Sequence, residues 1–293
     1  MQMVDAFVCF HPASMCELYM PFNKSLLVIA STRYELARLE SYKWQKWNEN
    51  LKMIARNPQN VVGANNLYDA EYIRYFTGLK VTLLPSLCNY TNAQYKPVRK
   101  SFLFVPIGNT EIDKTFPSAV SRENMTIPVN KLREVYSRYK YSDLSSHLGI
   151  IHVPYQLSTM SIFEQYRMNI PLFFPALDLL TEWHKKQNIL CQRTWHCAYH
   201  WTRANGSVIR GVEKDMPDPN NDYDIAAVKY WLKFADFYQW PHIILYESIE
   251  DLIQKLETTD LMAVSAKMKT YNEDVKLDLL NKWNGILKRI KEH

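Results

Sequence analysis

Leu148-Gly-Ile-Ile-His-Val-Pro-Tyr155, then Gln156-Leu-Ser-Thr-Met-Ser-Ile-Phe-Glu164, then Gln165-Tyr-Arg-Met-Asn-Ile-Pro171-Leu-Phe-Phe-Pro175, then Ala176-Leu-Asp-Leu-Leu-Thr-Glu-Trp183 form one uninterrupted run. An apolar stretch, a hydroxyl-rich turn, a short helical segment, a second apolar stretch ending in proline and a second helical segment follow one another. That is a strand-helix-strand-helix unit. Strands joined by helices of this length return to the same sheet edge only by a crossover, so the sheet is parallel and the fold class is α/β.

In parallel sheets, ligands bind beyond the carboxyl ends of the strands, where loops and helix N-termini converge. Ser158, Thr159 and Ser161 fall at that end, after the predicted strand 149–155. A helix starting near Ser161 turns its positive end towards them, which favours a phosphate or another anion. Glu164 lies one turn further on, within reach of sugar hydroxyls. Ser161-Ile-Phe-Glu164 also has the spacing of a capping box, in which both side chains serve only the helix. Tyr155 ends the strand after Pro154, where an aromatic ring simply packs.

The run from Glu164 through Asn169 to Pro171, followed by an apolar strand, resembles the nucleotide-sugar segment of glycosyltransferases built from two facing Rossmann-like domains, the GT-B architecture. In that family a Glu precedes a turn-forming residue, a Pro and a hydrophobic strand, and it holds the donor ribose; the resemblance gives that role to Glu164. Two departures stand out. Leu157 occupies the position where many members carry a second acidic residue, and Asn169 replaces the usual glycine, a substitution that a left-handed backbone tolerates. Trp240-Pro-His-Ile-Ile-Leu-Tyr-Glu-Ser248 and the helix predicted at 249–256 resemble the family's closing segment. The long amphipathic helix predicted at 261–290, with Met262, Met268, Leu277, Leu280, Trp283 and Ile286 as core candidates, resembles terminal helices that cross back to the first domain.

Composition bounds the alternatives. The 293 residues leave room for two domains of ordinary size or one large one, and 47% hydrophobic with 13% aromatic side chains supply ample material for a core. A net charge of +5, with acidic and basic residues interspersed, forms no nucleic-acid stripe. Seven glycines and no glycine-rich phosphate loop argue against dinucleotide and P-loop folds. No apolar run reaches membrane-spanning length, and residues 1–10 lack a secretory pattern. Five cysteines without regular spacing read as reduced thiols, which gives a soluble, cytoplasmic expectation.

Along the chain, strands are predicted at 4–10 and 25–30, a short helix at 14–22, and an amphipathic helix at 33–56 capped by Ser31 or Thr32. The polar break at 57–60 suggests a partial N-terminal Rossmann-like domain over 1–57 and a C-terminal donor-binding domain over 58–293, with the whole reading as part of something longer. Asn65 and Asn66 follow a strand at 61–64, placing them either at a ligand edge or as caps of a helix at 68–76. Arg99 and Lys100 precede the strand 101–105; they are surface charges or partners for a diphosphate. Residues 108–128 read as loop, and 130–139 as helix. Cys191, His196, Cys197 and His200 offer metal-ligand chemistry, but adjacent His196 and Cys197 point apart, and an aromatic-lined loop fits better. Asp222 or Asp224 caps the helix predicted at 225–238, against a metal-binding Asp-x-Asp.

The resemblance implies transfer of a sugar from a nucleoside diphosphate sugar to an acceptor of unknown identity, with no obligatory metal or cofactor. Ser158, Thr159 and the helix N-terminus would stabilise the leaving diphosphate, and Tyr155, if not simply packed, would stack on the base of the nucleotide. His11, ending the first strand, is the available base if the reaction inverts, or else a packed histidine. An inactive glycosyltransferase-like binding module is one alternative. A nucleic-acid-associated, base-modifying protein, suggested only by charge balance and aromatic content, is another.

Overall fold

Crossovers set the architecture. The structure, a computed structural model, describes residues 4–106, 116, 120 and 126–291. Strands β1 (Ala6–Cys9), β2 (Ser25–Ala30), β3 (Val61–Ala64) and β4 (Thr82–Leu83) pair in that order, all parallel. Strands β5 (Phe102–Val105), β6 (Val129–Lys131), β7 (Ile150–His152), β8 (Leu172–Pro175) and β9 (Ile244–Tyr246) form a second all-parallel sheet in the order β6-β5-β7-β8-β9. Helices flank both, as Rossmann-like α/β sheets require. The apolar runs β7 and β8 are buried along their whole length, because helices cover both sheet faces.

The chain steps outward from β5 to β6 and then returns past β5 to β7, so the strand order reverses between β5 and β7. The crevice beyond their carboxyl ends is therefore the second sheet's topological switch point. The loop leaving β7 there is the hydroxyl-rich turn.

The break at 57–60 does not separate the sheets. β3 and β4 lie after it and pair onto β2, so the first sheet continues past the expected boundary at residue 57. Asn60 accounts for the polar signal: its side chain accepts from the Leu26 amide at 2.8 Å and donates to the Ile54 carbonyl at 3.1 Å, tying a turn into the sheet.

Helix α1 (Ser41–Arg56) buries Trp44, Trp47, Leu51 and Ile54 at helical spacing, but starts eight residues later than its periodicity predicts. Residues 33–40 are held off the helical path: Ala37 has a φ of 68°, the Arg33 amide donates to Asp69, and the Tyr34 carbonyl accepts from the Trp47 indole. Helix α2 (Leu67–Thr77) is capped by Asn66, whose side chain accepts from the Asp69 amide, and ends at Gly78 in left-handed conformation. Helix α3 (Met160–Arg167) is capped by Thr159, not by a Ser161–Glu164 box, and Asn169 after it has a φ of 62°, the left-handed geometry read from its place before Pro171. Helix α4 (Leu177–Gln187) follows β8. The expected helix at 130–139 is instead β6 followed by one turn, Leu132–Val135. Helix α5 (Ile225–Leu232) is capped by Asp224 and breaks before a separate turn, Asp236–Gln239. Helix α6 (Ile249–Thr258) is capped by Ser248.

The last helix, α7 (Leu261–Lys291), joins the two sheets. Near its start Met268 enters the main core, and Asn272 donates to the Tyr166 carbonyl (3.0 Å) and to Asn169 (2.7 Å) beside the second sheet. Further on, Leu279, Ile286 and Ile290 pack with Leu27, Val61 and Leu84 of the first. Met262, Leu277 and Leu280, expected in the core, are exposed, because they stand roughly 120–180° round the helix from the single stripe that carries Met268, Leu279, Ile286 and Ile290.

Gly63 shows how tightly β3 and β4 are joined. A Cβ there would lie 2.9 Å from the Thr82 carbonyl oxygen and 3.0 Å from Leu84. Gly63→Ala is expected to lower stability by about 1–3 kcal/mol through overpacking, measured by urea unfolding.

The cysteines depart from expectation. Cys9 is bonded to Cys16 and Cys191 to Cys197, leaving Cys88 as a buried free thiol. Bonded pairs belong to oxidising settings, so the thiol argument for a cytoplasmic protein falls away. Among the described residues, no helix is long and apolar enough to cross a membrane.

Candidate functional site

The carboxyl ends of the two sheets meet around a cavity of about 840 Å³. The first sheet contributes Phe10 and His11 after β1, Ser31 and Thr32 after β2, Asn65 after β3 and residues 84–87 after β4. The second contributes the loop after β7, with Tyr155, Gln156, Ser158, Thr159, Met160 and Ser161. Leu279, Leu280 and Trp283 of α7 close one side.

Local bonding explains the polar wall. Thr159 Oγ1 accepts from the Ile162 amide as the cap of α3, and Ser161 Oγ lies 2.9 Å from it, so both hydroxyls gather at the helix N-terminus. Ser158 Oγ accepts from Asn66 Nδ2 at 3.1 Å, and Asn66 also donates to Asp69 at 2.7 Å. Behind Ser158 sits Asp236, fully buried, its carboxyl pushed well up from the usual range by burial and held back partly by a hydrogen bond with Ser158. Asp69 is raised the same way, burial again outweighing its hydrogen bonds. Asn65 bridges the halves: its oxygen accepts from the Ser86 amide at 2.7 Å, and its nitrogen faces the Met160 sulfur at 3.9 Å.

The wall therefore presents hydroxyls, amides and a helix N-terminus rather than formal charge. Among the described residues, no lysine or arginine lines the cavity. Such a surface can hold a neutral polyol or an anion through dipoles.

Six of the residues singled out in the sequence share this cavity: His11, Asn65, Tyr155, Ser158, Thr159 and Ser161. Asn66 stands just behind, as cap and partner of Ser158. Glu164 does not join them. It lines a separate hollow of about 520 Å³ beside Tyr139, Tyr141 and Asn92, accepting from the Tyr90 hydroxyl at 2.7 Å and from the Tyr141 hydroxyl at 2.9 Å. Three residues along a helix leave a side chain about 60° round from Ser161 and most of a turn further from the N-terminus, where the Tyr90 and Tyr141 hydroxyls hold Glu164 outside the cleft. Arg99 and Lys100 are exposed at the amino end of β5, and in a parallel sheet that is the edge opposite the cavity. Residues 108–128, read as loop, lie mostly outside the described residues.

His152, the histidine nearest the switch point, is packed. It stacks on Phe174 and bonds Gln165 at 2.6 Å, and burial pushes its pKa down to about 4. Cys191 and Cys197 are bonded to each other, which removes them as zinc ligands. Trp283, Gln156 and residues 84–87 escaped the functional reading of the sequence. Trp283 was legible only as a core position on an amphipathic helix; nothing local says that its helix reaches the cleft.

No protein-family model, curated protein or solved structure matches this chain significantly.

Proposed function

We propose that the chain is a GT-B-type glycosyltransferase that binds a nucleoside diphosphate sugar in the cleft between its sheets. The supporting observation is a cavity lined by the carboxyl ends of both parallel sheets, with a hydroxyl-rich helix N-terminus on one wall and a histidine on the other. The diphosphate lies against Ser158, Thr159, Ser161 and the start of α3, whose dipole favours the charge released on the leaving group. Tyr155 stands beside it for the base. His11 takes the proton from the acceptor hydroxyl as its oxygen bonds to the anomeric carbon and the bond from that carbon to the diphosphate breaks.

A panel of nucleoside diphosphate sugars tested by thermal shift checks the binding step, since a ligand confined to the folded state raises the melting temperature. Ser161→Ala is expected to weaken the active donor by about 0.5–1.5 kcal/mol, as for one lost hydrogen bond. His11→Gln is expected to lower kcat by roughly 10²–10⁴-fold with donor affinity kept. Glu164→Ala is expected to leave donor affinity within about twofold, because the carboxylate serves the separate tyrosine-lined hollow. Failure of every donor to shift the melting temperature overturns the proposal.

One observation favours a second reading. The lack of lysine or arginine on the wall, among the described residues, suits a binding module that holds a sugar without turnover. Donor binding with neither transfer nor donor hydrolysis selects it.

A further inference from the structure

Away from the cleft, the segment 33–40 and the chain from Thr194 to Val208 enclose a second cavity of about 190 Å³. Glu35 lines it from one side and Trp195 from the other, with Trp44 and Tyr199 as further walls. Glu35 is 1% exposed, and its carboxylate is held by a relay: Asn220 Nδ2 donates to the Tyr72 hydroxyl at 2.8 Å, and that hydroxyl donates to Glu35 Oε1 at 2.9 Å. The relay uses one carboxylate oxygen. Among the described residues, Oε2 has no hydrogen-bond partner, and the buried indole nitrogen of Trp195 has none either. Buried polar atoms are rarely left so, and each represents a desolvation cost that a suitable ligand would recover.

The two atoms are complementary to a particular chemistry. With its carboxyl ionised Glu35 Oε2 accepts, and Trp195 Nε1 only donates, so a ligand that serves both atoms must both donate and accept. A hydroxyl does both. An ammonium ion would satisfy Glu35 but oppose the indole N–H, and it would enter beside the Arg33 guanidinium, which stands 4.1 Å from the Trp195 ring centroid. An anion would meet the Glu35 carboxylate. Water donates and accepts too, and the space is that of roughly six waters at ~30 Å³ each; Thr194, His196, His200, Ser207 and Asn220 add polar side chains to the wall, so water is the competing occupant that the experiment separates. With Arg33 over the Trp195 ring and Trp44 packed on Tyr72 and Phe76, the exposed Tyr199 is the aromatic wall left for a ring with an apolar C–H face and a hydroxyl rim.

We infer that this cavity is a binding subsite for one neutral sugar ring, with Glu35 accepting from and Trp195 donating to its hydroxyls. It stands apart from the cleft and does not depend on the transferase reading.

Saturation-transfer NMR and tryptophan fluorescence titration of the full chain, with glucose, galactose, mannose, xylose and N-acetylglucosamine and without nucleotide, test it. At least one sugar is expected to bind. Trp195→Phe, which keeps the ring and removes the donor, and Glu35→Gln, which keeps the shape and replaces one acceptor, are each expected to weaken it about five- to tenfold. Ser161→Ala, in the cleft, is expected to leave that affinity unchanged. Binding lost in Ser161→Ala and kept in Trp195→Phe places the sugar in the cleft and overturns the inference. It is equally overturned if no sugar binds, which leaves the cavity to water, or if methylammonium binds in preference. Melting curves by circular dichroism establish that the variants fold. Trp195→Phe decides alone should Glu35→Gln fail to fold.

Discussion

Arg193→Met is expected to remove about 3–5 kcal/mol of folding stability, the usual effect of taking one partner from a buried ion pair. Arg193 is fully buried, and its guanidinium donates to Asp222 Oδ1 at 2.5 Å and to the Pro219 carbonyl. Asp222 is 1% exposed, and its other oxygen accepts from the Thr194 hydroxyl at 3.1 Å and the Ala204 amide at 2.8 Å. Without Arg193 the carboxylate keeps those neutral donors but has no opposite charge in a medium where desolvation is expensive. Urea unfolding at pH 7 measures the change. Adding Asp222→Asn to the Arg193→Met chain removes the stranded charge and is expected to return part of the stability. A single-variant loss below about 1 kcal/mol would mean that the pair behaves like an exposed one.

The second large effect is a pH dependence. Burial, the largest influence, raises the Glu35 carboxyl to about 7, with the Arg33 charge and the Tyr72 hydrogen bond pulling the other way. In the unfolded chain an ordinary Glu titrates near ~4.3. The folded state therefore holds this proton more tightly, and the stability that follows is fully present below the unfolded pKa and lost as pH rises through the folded one. At ~1.4 kcal/mol per pH unit across that window, the loss approaches roughly 3 kcal/mol by pH 8. Glu35→Gln has no such proton, so its stability relative to the native chain is expected to rise by that amount between pH 4.5 and pH 8. Paired urea titrations at those two pH values measure the difference. His152 and His184, pushed down to about 4 and about 3 by burial, act in the opposite sense: their contribution is present above the unfolded histidine pKa and lost as pH falls. Both chains share that slope, so it cancels in the comparison. A flat difference would mean that Glu35 is solvated in the folded state.

Local chemistry made several elements legible. The spans of β2, β3 and β8 follow from short apolar runs closed by polar or proline residues. Asn66 and Asp224 cap the helices that their positions announce. Asn169 takes the left-handed turn before Pro171. Periodicity misplaced the start of α1, because Leu36 and Leu39 extend the apolar pattern of Trp44 and Trp47 into a stretch that tertiary contacts hold in another shape. It misjudged Leu277 and Leu280 because apolar character alone marked them, whereas both cores take only the stripe of Met268, Leu279, Ile286 and Ile290, well round the helix from them.

The sequence by itself determined that the strands are parallel and that the turn 158–161 lies at their carboxyl edge. Both follow from element order and helix-capping chemistry, which act within a few tens of residues. Only the tertiary structure decided which side chains share a cavity: His11 and Trp283, 272 positions apart, line the same cleft, while Glu164, three positions from Ser161, does not. Arg99 and Lys100 fell at the far edge, Cys9 found Cys16, and Glu35 was buried against Tyr72 and a cavity it shares with Trp195. These outcomes depend on how sheets and helices stack on one another, and a pattern that repeats every two or 3.6 residues places a side chain on its own element but carries no information about what that element meets.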